Sequence, residues 1–272
     1  MKIIGIISLY NPVSEYCRNI QKVSTMVDLL ILIDDSEKCH REIIEKVLYD
    51  NVKYIWNGKN YGLSKSINRG ITIALENGAE WIFVMDQDSY PENDIIAIYS
   101  EYIKNNLNKD IALIAPQYNY DRRKRKAKEG TKNIKFANLS GSLINVEALN
   151  EIGLYNERFV IDGLDVEWCL RARKKEYRLV ECCKAVLHHC PGETRYLSIC
   201  GKHVWGYGFS TPDRHYYQIK AALEINSTYK DFRNIIMLVA KIMKALLLYE
   251  NRPLYIDMTK KAFCDYKKHQ DI

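Results

Sequence analysis

Four short apolar runs alternate with helix-like segments at the start of this chain, and that alternation constrains the fold more than any other feature. Ile3–Leu9, Leu29–Ile33, Val52–Trp56 and Trp81–Met85 read as buried strands. Glu15–Thr25, Lys38–Tyr49 and Ser64–Asn77 read as the helices between them. Strands and helices in alternation predict βαβ units and a parallel sheet. Polar residues gather directly after each strand: Asn11, then Asp34-Asp35, then Asn57 to Gly62, then Asp86-Gln87-Asp88. In an open parallel sheet the carboxyl ends of the strands share one edge, and ligands bind there. The alternation therefore turns scattered polar residues into one candidate site.

The chemistry of that site rests first on Asp86 and Asp88. Two carboxylates one residue apart at a strand end offer hard oxygen ligands to a hard divalent cation. Such a cation offsets phosphate charge, which points to a nucleotide-linked substrate. Read alone, the same residues are also a polar turn that ends a strand. A net charge of +6 fits a phosphate-bearing substrate or an anionic membrane surface. Twenty Tyr against 6 Phe supply flat apolar faces with polar tips, suited to sugars and to membrane interfaces.

The basic run Asp121-Arg122-Arg123-Lys124-Arg125-Lys126 sits in a long polar stretch, Gln117 to Lys135, that reads as a mobile surface loop. Only Tyr118 and Tyr120 could stack on bases there, so nucleic acid is not an expected partner. The 8 Cys show no paired zinc spacing, and Cys182-Cys183 and Cys190 near His188-His189 fit no standard site. Met1-Lys2 leads straight into the first strand without a signal-peptide pattern. Reduced cysteines and a cytoplasmic location are the expectation.

Further along, Leu139-Ser140-Gly141-Ser142-Leu143-Ile144 precedes a helix near Val146–Ile152. A second acidic cluster, Asp162-Gly163-Leu164-Asp165-Val166-Glu167-Trp168, opens another helix, with Asp165 and Glu167 in its first turn. Carboxylates there favour the helix dipole, so capping accounts for part of the pattern. Three acids in six positions are more than a cap requires. From Asp231 onward the chain reads as helical. Ile235–Tyr249 is apolar but carries Lys241 and Lys244, too short and too charged to span a bilayer. It reads either as a helix packed on the main domain or as one lying on a membrane surface.

These motifs together resemble family 2 glycosyltransferases of the GT-A fold, and within them the bacterial rhamnosyltransferases of O-antigen and capsular polysaccharide synthesis. The resemblance runs through Ile7-Ser8-Leu9-Tyr10-Asn11-Pro12, Ile33-Asp34-Asp35-Ser36, Asn57-x-x-Asn60-Tyr61-Gly62-Leu63-Ser64-x-Ser66-Ile67-Asn68-x-Gly70, Asp86-Gln87-Asp88-Ser89, Ser140-Gly141-Ser142, Ile161-Asp162 to Arg171, His189-x-x-Gly192-Glu193 and Pro212-x-Arg214-x-Tyr216-Tyr217. It implies an α/β fold, a mixed sheet flanked by helices, with a helical C-terminal tail. The implied domains are a catalytic domain over 1–230, with a nucleotide-sugar half over 1–90 and an acceptor half over 91–230, and a C-terminal helical segment over 231–272.

The resemblance also implies roles. Asp86 and Asp88, with His189 or its neighbour His188, would hold Mg²⁺ or Mn²⁺. Tyr10, Asn11, Asp34, Asn60, Gly62, Ser64, Gln87 and Arg214 would line the nucleotide-sugar side. Ser140, Gly141, Glu167 and Trp168 would stand on the acceptor side. Asp165 matches the general base; because Leu164 and Glu167 depart from the usual acidic motif, Asp162 is the rival. The implied reaction is an inverting, metal-dependent transfer of a sugar from a nucleotide-sugar donor, dTDP-L-rhamnose, to a glycan or lipid-linked glycan. Peripheral contact at the inner face of the cytoplasmic membrane goes with such an acceptor. A UDP-hexose or galactofuranose donor would use the same scaffold. A nucleotidyltransferase should carry a Gly-rich basic loop after the first strand, which Tyr10-Asn11-Pro12 is not. A non-catalytic scaffold should have lost some of these acids.

Overall fold

The computed structural model describes residues 1–106, 110–121, 126–189, 192–199, 202–230 and 232–270. Its first part is the predicted βαβ array. β1 (Ile3–Leu9), β2 (Leu29–Asp34), β3 (Val52–Trp56) and β4 (Trp81–Asp86) pair in parallel in the order β3-β2-β1-β4. Between them run α1 (Cys17–Ser24), α2 (Arg41–Ile44) and α3 (Leu63–Glu76). After β5 (Tyr90–Pro91) and α4 (Ile95–Asn105), the sheet continues past β4 through β8 (Ser142–Asn145) and β6 (Ile111–Asn119) to β9 (Arg178–His188). β8 is antiparallel to both β4 and β6, whereas β6 and β9 are parallel. The carboxyl ends of β1, β2, β3, β4, β6 and β9 thus share one edge, with the amino end of β8 among them.

Alternate side chains divide the core into two layers. Ile4, Ile6, Ile33 and Val84 pack with α3 and with α5 (Val146–Ile152) and α6 (Leu164–Lys174) on one face. Ile7, Leu32, Phe83 and Met85 pack with α1 and α4 on the other. Apolar side chains on both faces are why these strands read as unbroken runs. Each fully buried Ile or Leu contributes roughly 1.5–3 kcal/mol.

Three expectations change. Lys38–Tyr49 forms only α2 and one 3-10 turn, Glu45–Val47, because the backbone N–H of His40 donates to Asp34 (3.0 Å) and starts the helix late. Glu15–Thr25 likewise begins as a 3-10 turn, Ser14–Tyr16, before α1. Gln117–Lys135 is not one loop. Gln117–Asn119 closes β6 and is buried, and β7 (Thr131–Ile134) pairs antiparallel with β9. β7 leaves no apolar signature in the sequence because an edge strand needs only backbone partners and can be polar on both sides. Of the basic run, Arg122, Arg123, Lys124 and Arg125 lie outside the described residues, as do Cys190 and Cys200.

The last part pairs β10 (Thr194–Ile199) with β11 (Lys202–Gly208) in a separate antiparallel hairpin, followed by α7 (Pro212–Tyr229), α8 (Phe232–Leu248) and α9 (Arg252–Gln270). Ile219 and Ala222 of α7, Leu238 of α8 and Ala262 of α9 form one small core, so the tail helices share their packing with α7 across the expected boundary at 230. Among the described residues no helix is long and apolar enough to cross a membrane.

Candidate active site

A cleft follows the shared sheet edge in two continuous parts. One, about 650 Å³, is walled by Tyr10, Asp35, Asn60, Gly62 and Tyr217. The other, about 620 Å³, is walled by Asp86, Asp88, Asp162, Asp165, His189 and Lys241. Leu63, Gln87, Ile161 and Arg214 line both and join them.

In the first part, β1 and β4 are tied together beyond their ladder. The Tyr10 amide donates to Gln87 Oε1 (3.0 Å), and Gln87 Nε2 donates to the Tyr10 carbonyl (2.9 Å). The Asn11 amide donates to Ser36 Oγ (2.7 Å). The loop after β3 is held by Asp35, whose carboxylate accepts the amides of Tyr61 (3.0 Å) and Gly62 (2.9 Å) and the Asn57 side chain (2.7 Å). Asn60 Oδ1 also accepts the Gly62 amide (2.9 Å). Gly62 has φ +94°, and a Cβ there would lie 2.7 Å from Val160 Cγ1, so only glycine fits.

The second part is acidic. Ligand atoms of Asp86, Asp88 and His189 all lie within 4.8 Å of one another. The Asp86 amide donates to Ser140 Oγ (3.0 Å), Ser140 Oγ donates to Ser89 Oγ (2.8 Å), and Ser89 Oγ lies 2.9 Å from His189 Nδ1. This chain of hydroxyls fixes the strand-end acid and the histidine relative to each other. Burial, then the charges of Asp88 and Asp165, push the Asp86 carboxyl up to about 7. Burial raises Asp88 as well. Acids crowded this way favour a bound cation, and two carboxylates with an imidazole suit a borderline divalent ion.

Across from them, α6 begins at Gly163, whose left-handed φ of +91° and lack of Cβ let the helix start close against Ala221 of α7. That start directs Asp165 of the first turn into the cleft. Burial, with Asp162 nearby, pushes the Asp165 carboxyl up to about 6, against the bond that it accepts from the Val166 amide. Asp162 is paired with Arg214, at 3.2 Å to Nε and 3.4 Å to Nη2. Among the described residues Asp165 carries no such ion pair, so of the two acids it is the freer to accept a proton.

The structure brings Tyr10, Asn60, Gly62, Asp86, Gln87, Asp88, Ser140, Asp162, Asp165, His189 and Arg214 to the cleft. His188 points elsewhere and pairs with Glu92 (3.1 Å). Several expected residues lie behind the cleft. Asp34 is fully buried, with its oxygens engaged by Ser36 (2.6 Å), His40 and Tyr54 (2.5 Å). Ser64 is buried in α3. Trp168 is in the core and donates to the Gly153 carbonyl (2.9 Å). Glu167 is buried and bonds Arg171 (2.8 Å) and the Tyr229 hydroxyl (2.7 Å). Gly141 packs against Leu187 and Pro116. Asp35, Ile161 and Tyr217 stand in the sequence motifs without a role of their own, and Lys241 reads from sequence only as a charge on the tail helix; all four line the cleft. Asp35 had a signal in the Asp-Asp pair, but strand residues alternate in direction and the pair alone does not say which one faces the ligand.

An open sheet whose strand ends meet an acidic cleft, flanked by helices, is the GT-A architecture of glycosyltransferases. Solved structures share it. GalNAc-T7 with UDP, GalNAc and Mn²⁺ superposes at TM-score 0.63 with 15% identity over 98% of this chain; the chain spans only 54% of that protein. TarS residues 1–349 of S. aureus, in complex with UDP-GlcNAc, gives TM-score 0.59 with 16% identity over 96% of this chain and 80% of that one. The family model for glycosyl transferase family 2 matches residues 6–157, and the chain belongs to that family. The dTDP-rhamnosyl transferase RfbF of Shigella flexneri is 27% identical over 235 residues, covering 81% of this chain and 76% of the relative.

Proposed function

We propose that this glycosyltransferase moves L-rhamnose from dTDP-L-rhamnose to a hydroxyl of a growing, lipid-linked bacterial surface glycan, with inversion at the anomeric carbon. The observation that carries the reading is the placement of Asp165 across one cleft from the Asp86, Asp88 and His189 cluster. The likeness to RfbF supports rhamnose as the sugar. A UDP-hexose donor is the second reading, supported by the UDP-GlcNAc in the structurally similar TarS complex.

Asp86, Asp88 and His189 would hold Mg²⁺ or Mn²⁺, which supplies charge to offset the departing diphosphate. Asn60, Tyr61, Gly62 and Gln87 shape the adjoining part of the cleft for the nucleotide. Arg214, at the junction, adds positive charge toward the diphosphate while it orients Asp162. Asp165 accepts the proton of the acceptor hydroxyl as that oxygen attacks the anomeric carbon. One attack from the face opposite the leaving group inverts that centre. Asp162, already paired, is the weaker candidate for the base.

The lipid-linked acceptor implies contact with a membrane surface. Phe232, Ile236, Val239, Met243 and Leu247 form an exposed apolar stripe on α8 that supports it.

The test is a panel of nucleotide sugars with Mn²⁺, scored by thermal shift and by release of nucleoside diphosphate. dTDP-L-rhamnose should give the largest stabilisation, since a true ligand stabilises the fold by mass action. Hydrolysis or transfer from a UDP-hexose alone would replace rhamnose by the second reading. Silence with every donor would refute the transferase reading of this cleft.

A further inference from the structure

α8 carries two lysines on its inner side, and they are held differently. Lys244 Nζ donates to the Gly208 carbonyl at 2.8 Å and so anchors the helix to the base of the β10-β11 hairpin. The Tyr207 hydroxyl donates to the Leu248 carbonyl (3.3 Å) and adds a second tie, and Leu238 and Ala245 pack inward. These contacts fix the position of α8. Lys241, one turn earlier, lines the acidic part of the cleft together with Met237 of the same helix face. Its ammonium is partly buried, and burial lowers its pKa while Asp162 and Asp165 oppose that. Among the described residues it makes no hydrogen bond or ion pair at contact distance. Asp162, which lines the same part of the cleft, is already engaged by Arg214. A structural lysine would be tied down as Lys244 is. A half-buried ammonium that faces the cleft without a fixed partner is available to an anionic group that arrives with the substrate.

We propose that Lys241 is a substrate-binding residue, supplied to the active site by the C-terminal helix, that contacts a phosphate group of a substrate. The inference rests on the transferase reading above. Lysine binds phosphate as a compact point charge without a fixed fork, which suits a group approached from the end of a long flexible stem. Phosphate could come from the donor diphosphate or from a phosphate-bearing acceptor, and the two are separable.

The experiment compares the full chain with Lys241→Met and Lys241→Arg. Calorimetric binding of dTDP with Mn²⁺ is measured first, followed by KM and kcat with a phosphate-bearing and a phosphate-free acceptor. Loss of a charged hydrogen bond should weaken the affected step about tenfold or more, and Arg should restore most of it. Weaker dTDP binding by Lys241→Met assigns the contact to the donor. Unchanged dTDP binding with a raised KM for the phosphate-bearing acceptor only assigns it to the acceptor. Unchanged affinities for both, or an altered pH profile alone, would overturn the inference while leaving the transferase reading intact. Should the wild-type chain bind no nucleoside diphosphate, the reading of the cleft fails and the inference with it. Should Lys241→Met not fold, Lys241→Gln, which keeps a polar end, replaces it in the same measurements.

Discussion

Replacing Asp86 by Asn should make the metal-free protein more stable and the enzyme inactive. In the folded chain the Asp86 carboxyl is raised from 3.8 to about 7, first by burial and then by Asp88 and Asp165. The unfolded chain releases that proton near 3.8, so between about 4 and 7 the folded state binds more protons and stability falls as pH rises. Above 7 the full penalty is present. A shift of about 3 units corresponds to about 4 kcal/mol as an upper bound. The Asp86 side chain keeps 32% of its surface exposed toward the cleft, and water screens a charge so placed. About 1–2 kcal/mol is the expected gain for Asp86→Asn at pH 8, a rise in Tm of about 3–6 °C for a chain of this size. Denaturation in EDTA at pH 8 and at pH 4.5 measures it, and the difference between the proteins should shrink at the lower pH. Mn²⁺ should then stabilise the wild type more than the variant. A variant less stable than wild type at pH 8 in EDTA, or a difference independent of pH, would refute the reasoning.

Asp165→Asn should lower kcat by about 10²–10⁴-fold with donor binding retained. Because the base must be ionised and burial pushes its carboxyl up to about 6 in the free chain, wild-type kcat/KM should rise with pH through about 6 and then level off; the same loss from Asp162→Asn alone would move the base to Asp162. Gly62→Ala forces a side chain onto φ +94° against Val160 and should destabilise by about 1–3 kcal/mol, read by urea denaturation, and weaken donor binding. Ile236→Glu with Val239→Glu, both on the exposed face of α8, should abolish binding to anionic vesicles in flotation while the fold stays intact; equal binding by wild type and variant would remove α8 from the membrane.

The sequence by itself determined the parallel array and the edge on which the site lies. Strands buried on both faces leave a period-free apolar signature, and their ends can only be polar at the rim, so Asp86, Asp88, Asn60 and Gly62 were legible from position alone. The start of α6 and the presence of Asp165 in its first turn were legible for the same local reason. Tertiary structure decided what local pattern does not encode. Asp34 and Asp35 are adjacent in sequence, yet strand alternation and the Tyr54 and Ser36 hydrogen bonds turn the first inward and leave the second at the cleft. Trp168 and Glu167 share a motif with Asp165 but lie on the buried side of the helix. Lys241 is separated from Asp86 by most of the chain. Only the packing of α8 against α7 and the hairpin brings its charge into the cleft, because contacts between distant segments depend on where helices dock and not on the residues beside them in sequence.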